Sequence, residues 1–465
     1  MTGRACPPPP SRTARLVLLA CFVVGAAVRF IGLTKESFWL DEGWALDLID
    51  RASLGDVVRA ASREVHPPLY FVLSWVWSRA FGLSDVELRS LSALVATASV
   101  PAAWCLARRL VAPRAALVAT AIVALSPLLV KQAHDIKQYS LVVLLATVST
   151  ERFLAFAQGR SNRPLVGWAF ATVLLAYTHF IGLTALLAQD VLILVGVPRA
   201  ARRGRDLLVP FAVGHALVAL AVAPWVSFVV VAMRRFQGFP GTQSPGALWR
   251  ALVGIAGTAR GVVLLFGLAA AGLVRRRLRG RAVPRGLRAA VTLGAIPLVV
   301  PWVVSALTSP SFATRIVIHA VPPLAAALGA GLVNLARPAR RGLVVALSIS
   351  VVALGLVWLH PRVEREQWRE AAARLSSEAR PGDAVLSLGV PDGRLLRHYL
   401  PVGGPAVLDV SAGIPAPVSG GGRLFLVPSI HTTDLDGWRA RIAERGWHER
   451  ESTSFVMVRV LRFDP

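Results

Sequence analysis

The chain is short of acid, of lysine and of cysteine. Of its 465 residues only 26 are Asp or Glu against 51 Lys or Arg, and all charged residues together make up 17%. A soluble enzyme of this length would carry about 25% charge, so a wholly water-exposed fold is excluded. Lysine occurs only at Lys35, Lys131 and Lys137, and cysteine only at Cys6, Cys21 and Cys105. Three such scattered thiols make no disulfide framework. No fixed-period repeat is present, and the C-terminal hundred residues hold no Gly-rich phosphate loop, so no nucleotide is assigned to them. What the chain has instead is hydrophobic length. Its composition is 55% hydrophobic, and runs of Leu, Val and Ala recur from Leu16 to Trp358. Each is close to the ~20 residues that cross a hydrocarbon core of about 30 Å. The fold class expected is a polytopic α-helical membrane protein with a small C-terminal α/β domain. Residues 1–15 form a tail, 16–359 the membrane domain with a first outer loop at 35–85, and 360–465 the separate domain.

The net charge of +25 is not spread as a nucleic-acid patch. Arginines cluster in short gaps between apolar runs: Arg108 to Arg114, Arg152 to Arg163, Arg199 to Arg205, Arg275 to Arg288 and Arg337 to Arg341. By the positive-inside rule these gaps and the tail with Arg4, Arg12 and Arg15 are cytoplasmic. The Leu18-Leu19-Ala20-Cys21 box is set aside because the run continues to Leu33 as an uncleaved first span. Pro67 to Phe81 is short and holds Trp75, Trp77 and Arg79, so it is read as an interfacial helix. Crossing runs are expected at Leu16–Leu33, Val86–Leu106, Ala115–Val130, Tyr139–Phe156, Leu165–Tyr177, Phe180–Val197, Leu207–Val231, Gly261–Val274, Leu287–Leu307, Ile316–Leu335 and Leu343–Trp358, about eleven in all. Arg234-Arg235 alone breaks the charge pattern. The C-terminal domain then lies outside, with helices over Glu364–Glu378 and Thr432–Glu444 and strands at Ala384–Leu388, Ala406–Val410, Leu424–Val427 and Ser454–Leu461. Arg- and Ala-rich usage suggests a bacterial origin and hence the plasma membrane.

This topology gathers three outer segments on one side. The first carries Asp41-Glu42, directly after the first span, and His66-Pro67-Pro68-Leu69-Tyr70. The second carries Lys131 and Asp135-Ile136-Lys137-Gln138-Tyr139, the third Tyr177-Thr178-His179. A later loop adds Arg315, with His319 one turn on. Ionisable groups at such a position are costly and usually mark function.

Asp-Glu after the first span, Pro-Pro-Leu-Tyr, an acidic–aliphatic–basic–x–Tyr stretch and a Tyr-Thr-His turn resemble the GT-C superfamily. More closely they resemble the dolichyl-phosphate-mannose–protein mannosyltransferase group and its bacterial relatives, including aminoarabinose transferases. The Arg315 segment before Val321-Pro322-Pro323 and the Trp368–Asp383 stretch share the likeness. The resemblance implies transfer of a sugar from a polyprenyl phosphate to an acceptor hydroxyl on the extracytoplasmic face, with inversion.

That donor already holds a good leaving group, so the reaction needs chiefly a base for the attacking hydroxyl. The resemblance assigns this to Asp41, against the plain reading of a helix-capping residue; Glu42 would orient Asp41 or the sugar, against that of a water-facing neighbour. Lys137 and Arg315, with His319 behind them, would hold the departing phosphate, against a snorkelling role for Arg315. Asp135 would bind sugar or share a divalent cation with Asp41, against a plain ion pair with a lysine. Oxygen ligands suit magnesium or manganese; whether any metal is used stays open. His66, Tyr70, Tyr139 and His179 line the acceptor or sugar path, although for histidines at such spacing the interfacial reading weighs more than a metal cluster. Trp368, Asp383 and Asp392 read as structural. The acceptor is a protein, a glycolipid or a cell-wall glycan. The competing readings are a lipid-linked-sugar flippase, which would place its charges at the bilayer midplane, and a non-catalytic membrane scaffold.

Overall fold

A computed structural model of the chain describes residues 11–63, 66–198, 200–235, 246–308, 313–335, 365–388, 393–408, 413–417 and 422–465. The expected span Leu343–Trp358, Asp392 and the loop residues 309–312 lie outside these. The chain divides into two compact units.

The larger unit comprises Met1–Ile31, Ala52–Gly82 and Glu87–Trp358. Its elements are α1 (Arg12–Phe30), then, beyond a helix of the other unit, α3 (Leu54–Ala61), α4 (Leu69–Phe81), α5 (Asp85–Leu110), α6 (Pro113–Leu125), α7 (Pro127–Ala133), α8 (Tyr139–Gln158), α9 (Arg163–Ala176), α10 (Leu183–Val195), α11 (Arg205–Arg235), α12 (Ala247–Ala256), α13 (Ala259–Leu278), α14 (Arg285–Thr308) and α15 (Val321–Leu332). Six stretches among the described residues are long and apolar enough to cross a membrane, or eight if two bent pairs each count as one. Prolines and glycines make the bends: α6 and α7 meet at 47° across Ser126-Pro127, and α12 and α13 at 81° across Gly257-Thr258. α4 is a short helix of 13 residues. α9 and α10 are shorter than a span, because the tight turn at Thr178-His179 uses up their ends. The sequence reading had no counterpart to α12.

Small residues let these helices approach. A Cβ on Gly329 would lie 2.3 Å from the Ala115 carbonyl oxygen, and one on Gly272 would lie 2.1 Å from that of Gly331. Such contacts drive helix association where lipid is as apolar as leucine. Arg29 supports the bend between α6 and α7. Pro127 has no N–H for the Val123 carbonyl, and the bend frees the carbonyl of Ala124. The fully buried Arg29 guanidinium donates to Val123 O at 3.0 Å, Ala124 O at 2.7 Å and Gly25 O at 2.8 Å.

The smaller unit comprises Gly32–Arg51, Leu83–Val86 and Leu359–Pro465. It holds α2 (Leu40–Ile49), α16 (Trp368–Glu378), α17 (Arg394–Tyr399) and α18 (Leu435–Glu444). Its strands are β1 (Ala384–Leu388), β2 (Ala406–Leu408), β3 (Leu424–Pro428), β4 (His448–Phe455) and β5 (Val458–Asp464), in the order β2-β1-β3-β5-β4. β1 pairs in parallel with β2 and β3; β5 runs antiparallel to β3 and β4. Leu424, Leu426, Leu461, Phe463 and Trp447 fill one core, and Trp368 is fully buried. Asp383 closes the turn before β1, accepting from the Arg380 N–H at 2.7 Å and from the Arg423 N–H at 2.7 Å and guanidinium. The expected single strand at Ser454–Leu461 is instead a hairpin turning at Val456-Met457. The alternation there straddles two strands, and the charged edge strand β4 gives no apolar signal.

Candidate active site

Asp41 and Glu42 stand in the first turn of α2, where carboxylates favour the partial positive charge of a helix N-terminus. Asp41 is half-buried; Glu42 is fully buried. The Glu42 carboxylate accepts from the Arg365 guanidinium at 3.2 Å and from the Trp39 N–H at 3.4 Å. The water-facing alternative for Glu42 is therefore replaced by a buried ion pair.

In the larger unit, distant segments meet. The Leu69 N–H at the start of α4 donates to the Tyr177 carbonyl at 3.0 Å, which docks the Pro-Pro segment on the Tyr-Thr-His turn. The rings of His66 and His179 lie 5.1 Å apart, and Tyr139 lies 5.9 Å from His179. Arg315 is the second residue of a 3₁₀ segment, Thr314–Ala320, and its Nε donates to the Tyr139 hydroxyl at 3.1 Å across 176 residues of chain. The next turn places the buried His319, whose Nε2 lies 2.8 Å from the Thr184 hydroxyl. Because Thr184 donates to Ile181 O, the His319 nitrogen serves as donor.

The electrostatics of this cluster are set by burial and cations. Burial, then the charges of Lys137 and Arg315, lowers the His179 imidazole to about 4. Burial, then His179, Lys137 and Arg315, pushes His66 well below its ordinary value. Both rings are neutral at physiological pH, and the positive charge is carried by Lys137 and Arg315. Asp135 and Lys137 are both buried in the turn between α7 and α8, whereas Lys131 is exposed. Among the described residues, both amide atoms of the fully buried Gln138, Oε1 of Gln132 and Nδ1 of His66 and of His319 are buried without a hydrogen-bond partner. Such atoms are costly unless something polar reaches them. The buried Tyr70 hydroxyl shares a 2.7 Å hydrogen bond with Ser92. No group of three or more His, Cys, Asp or Glu among the described residues is arranged to hold a metal ion.

Sequence reasoning missed Gln138, Thr184 and Arg365. Gln138 had a signal, lying between Lys137 and Tyr139 at the head of an apolar run. Thr184 and Arg365 had none, since their partners are 135 and 323 residues away.

A polytopic helical unit joined in sequence to a small α/β unit is an arrangement shared with solved membrane proteins. Residues 65–228 match the family described as dolichyl-phosphate-mannose-protein mannosyltransferase. The structure of ArnT from Cupriavidus metallidurans bound to undecaprenyl phosphate is similar with a TM-score of 0.66 at 16% identity, covering 97% of this chain and 98% of that one. Its apo state gives 0.65 at 15% identity, with the same coverage. The archaeal oligosaccharyltransferase AglB from Archaeoglobus fulgidus, in complex with an inhibitory peptide and a dolichol-phosphate, gives 0.55 at 12% identity over 97% of this chain and 74% of that one. No curated protein sequence matches the chain.

Proposed function

We propose that the protein is a membrane glycosyltransferase that moves a sugar from a polyprenyl phosphate to an acceptor hydroxyl. The observation that carries this reading is the buried cluster of cations and imidazoles in the larger unit, where Arg315 is bonded to Tyr139 beside the neutral His66–His179 pair. A phosphate leaving group needs cations held in place before its charge develops, and low local polarity strengthens their effect. The orphaned amide N–H of Gln138 suits a phosphate or hydroxyl oxygen, and the bare Nδ1 of His319 suits a hydroxyl that donates to it. In the reaction, the acceptor oxygen attacks the anomeric carbon while Asp41 takes its proton. The bond from that carbon to the phosphate oxygen breaks with inversion, and polyprenyl phosphate leaves toward Arg315 and Lys137. The family match favours a mannose-like hexose; the likeness to ArnT keeps an aminopentose as the alternative. By the charge pattern, the reaction face is extracytoplasmic in a bacterial plasma membrane.

The test is release of polyprenyl phosphate by the purified, detergent-solubilised protein offered a panel of polyprenyl-phosphate sugars and acceptors. Removing a general base is expected to cost at least ~100-fold, so Asp41→Asn should lose that much kcat. Wild-type turnover with an unaffected variant would overturn Asp41 as base; donor binding without turnover of any panel member would move the flippase reading ahead.

A further inference from the structure

α2 caps only its Trp39 N–H from within, through Glu42. Trp39, at its N-cap, has no side-chain oxygen, so the first N–H groups need acceptors from elsewhere. The segment just before α16 supplies one, to Leu40. The Leu40 N–H donates to Glu366 Oε2 at 2.7 Å, across 326 residues of chain. Arg365 bridges two carboxylates, Glu42 at 3.2 Å and Glu36 at 2.9 Å, and its guanidinium lies 5.7 Å from the centre of the Trp39 ring. The Phe38 N–H donates to the Tyr399 hydroxyl at 2.7 Å, and Ser37 bonds Glu370 and the Arg369 N–H. On the next turn side, a Cβ on Gly43 would lie 2.8 Å from Leu395 of α17, so the helix is seated without slack. Residues 37–40, 42 and 43 are thus held, which fixes the backbone that carries the half-buried Asp41.

We propose that Arg365 and Glu366 are positioning residues: they hold the first turn of α2 and thereby aim the Asp41 carboxylate, making the C-terminal α/β unit a required part of the catalytic machinery. The inference rests on Asp41 being the base. Glu42 then acts through Arg365 as the buried anchor of this turn. Arg365 suits the role because its planar fork can serve two carboxylates at once, which a lysine ammonium does less well. His431 Nε2 lies 3.0 Å from Glu366 Oε1, the other oxygen of the same carboxylate.

The experiment is a double-mutant cycle on the full-length, solubilised protein, with kcat, donor KM and thermal unfolding measured for Arg365→Ala, Arg365→Lys, Asp41→Asn and the doubles. Misplacing a catalytic group by about 1 Å costs up to ~100-fold, so Arg365→Ala is expected to lower kcat ~10- to 100-fold with donor KM within about twofold. Arg365→Lys should recover part of the loss. In the Asp41→Asn background, Arg365→Ala should cost nothing further. An equal kcat loss in both backgrounds, or a loss confined to KM, would overturn the positioning role while leaving Asp41 as base. An unaffected Asp41→Asn enzyme would instead remove the base assignment on which the inference rests. If Arg365→Ala does not fold, Glu366→Gln and Glu366→Ala form the same cycle. The amide oxygen can still accept from Leu40, so Gln should keep near wild-type kcat while Ala loses it. Equal behaviour of the two would count against the proposal.

Discussion

Arg29 shows how a single side chain can hold a membrane bend. It ends a span, where an arginine would ordinarily reach out to the interface, yet it turns inward to carbonyls 94 and 95 residues away. Each buried acceptor left bare costs about 1–3 kcal/mol. Arg29→Leu is therefore expected to lower the unfolding temperature of the solubilised protein markedly, and Arg29→Lys, a point charge in place of a fork, to recover only part. Unchanged melting of the leucine variant would mean the bend is held by helix packing alone. This contact also marks the boundary of what the sequence discloses at the residue scale. Asp41, Lys137, Tyr139, His179 and Arg315 stood out because polar groups at the mouths of apolar runs are costly. Of these, four belong to the larger unit, and Arg315, Tyr139 and His179 are adjacent there. Arg29 resembles any snorkelling arginine, and Glu366 any surface acid, until the fold brings up its partner.

At the scale of elements, the hydrophobic runs located the long helices to within a few residues, because membrane length is a coarse and strong signal. They could not show bends, since Pro127 in an apolar run fits a straight span or a broken one equally well. The β4–β5 hairpin was hidden for a different reason. Its turn carries Met457 at φ 58°, with no Asn-Gly or Gly to announce it. A left-handed conformation costs a non-glycine residue roughly 1–2 kcal/mol, and the Met457 side chain is exposed. Met457→Gly is accordingly expected to raise the unfolding temperature of the smaller unit in calorimetry. A fall would show that the methionine side chain contributes more than its backbone loses.

For the whole molecule, the arginine clusters predict a cytoplasmic N-terminus and an extracytoplasmic C-terminal unit. Fusing alkaline phosphatase after Pro465 should give active reporter, and fusing it near Arg160 should not; the reverse pattern would invert the reading. The division of the chain is not the one the hydropathy suggested. Residues 32–51, of which 35–51 are expected in the first outer loop of the membrane domain, are grouped with the C-terminal unit. Chain order conceals this, because α2 is made about 320 residues before its cap. The same delay has a consequence for biogenesis at Arg29. Ribosomes add about 5–20 residues per second, so the guanidinium waits roughly 5–20 s before Ala124 is even synthesised. During that interval the first helix carries an uncompensated cation, whose cost at a span centre is about 2.5–3.5 kcal/mol and is eased near its end. The first span should therefore linger at the lateral gate of the translocon, and its release into lipid should be timed by the arrival of α6 rather than by its own hydrophobicity.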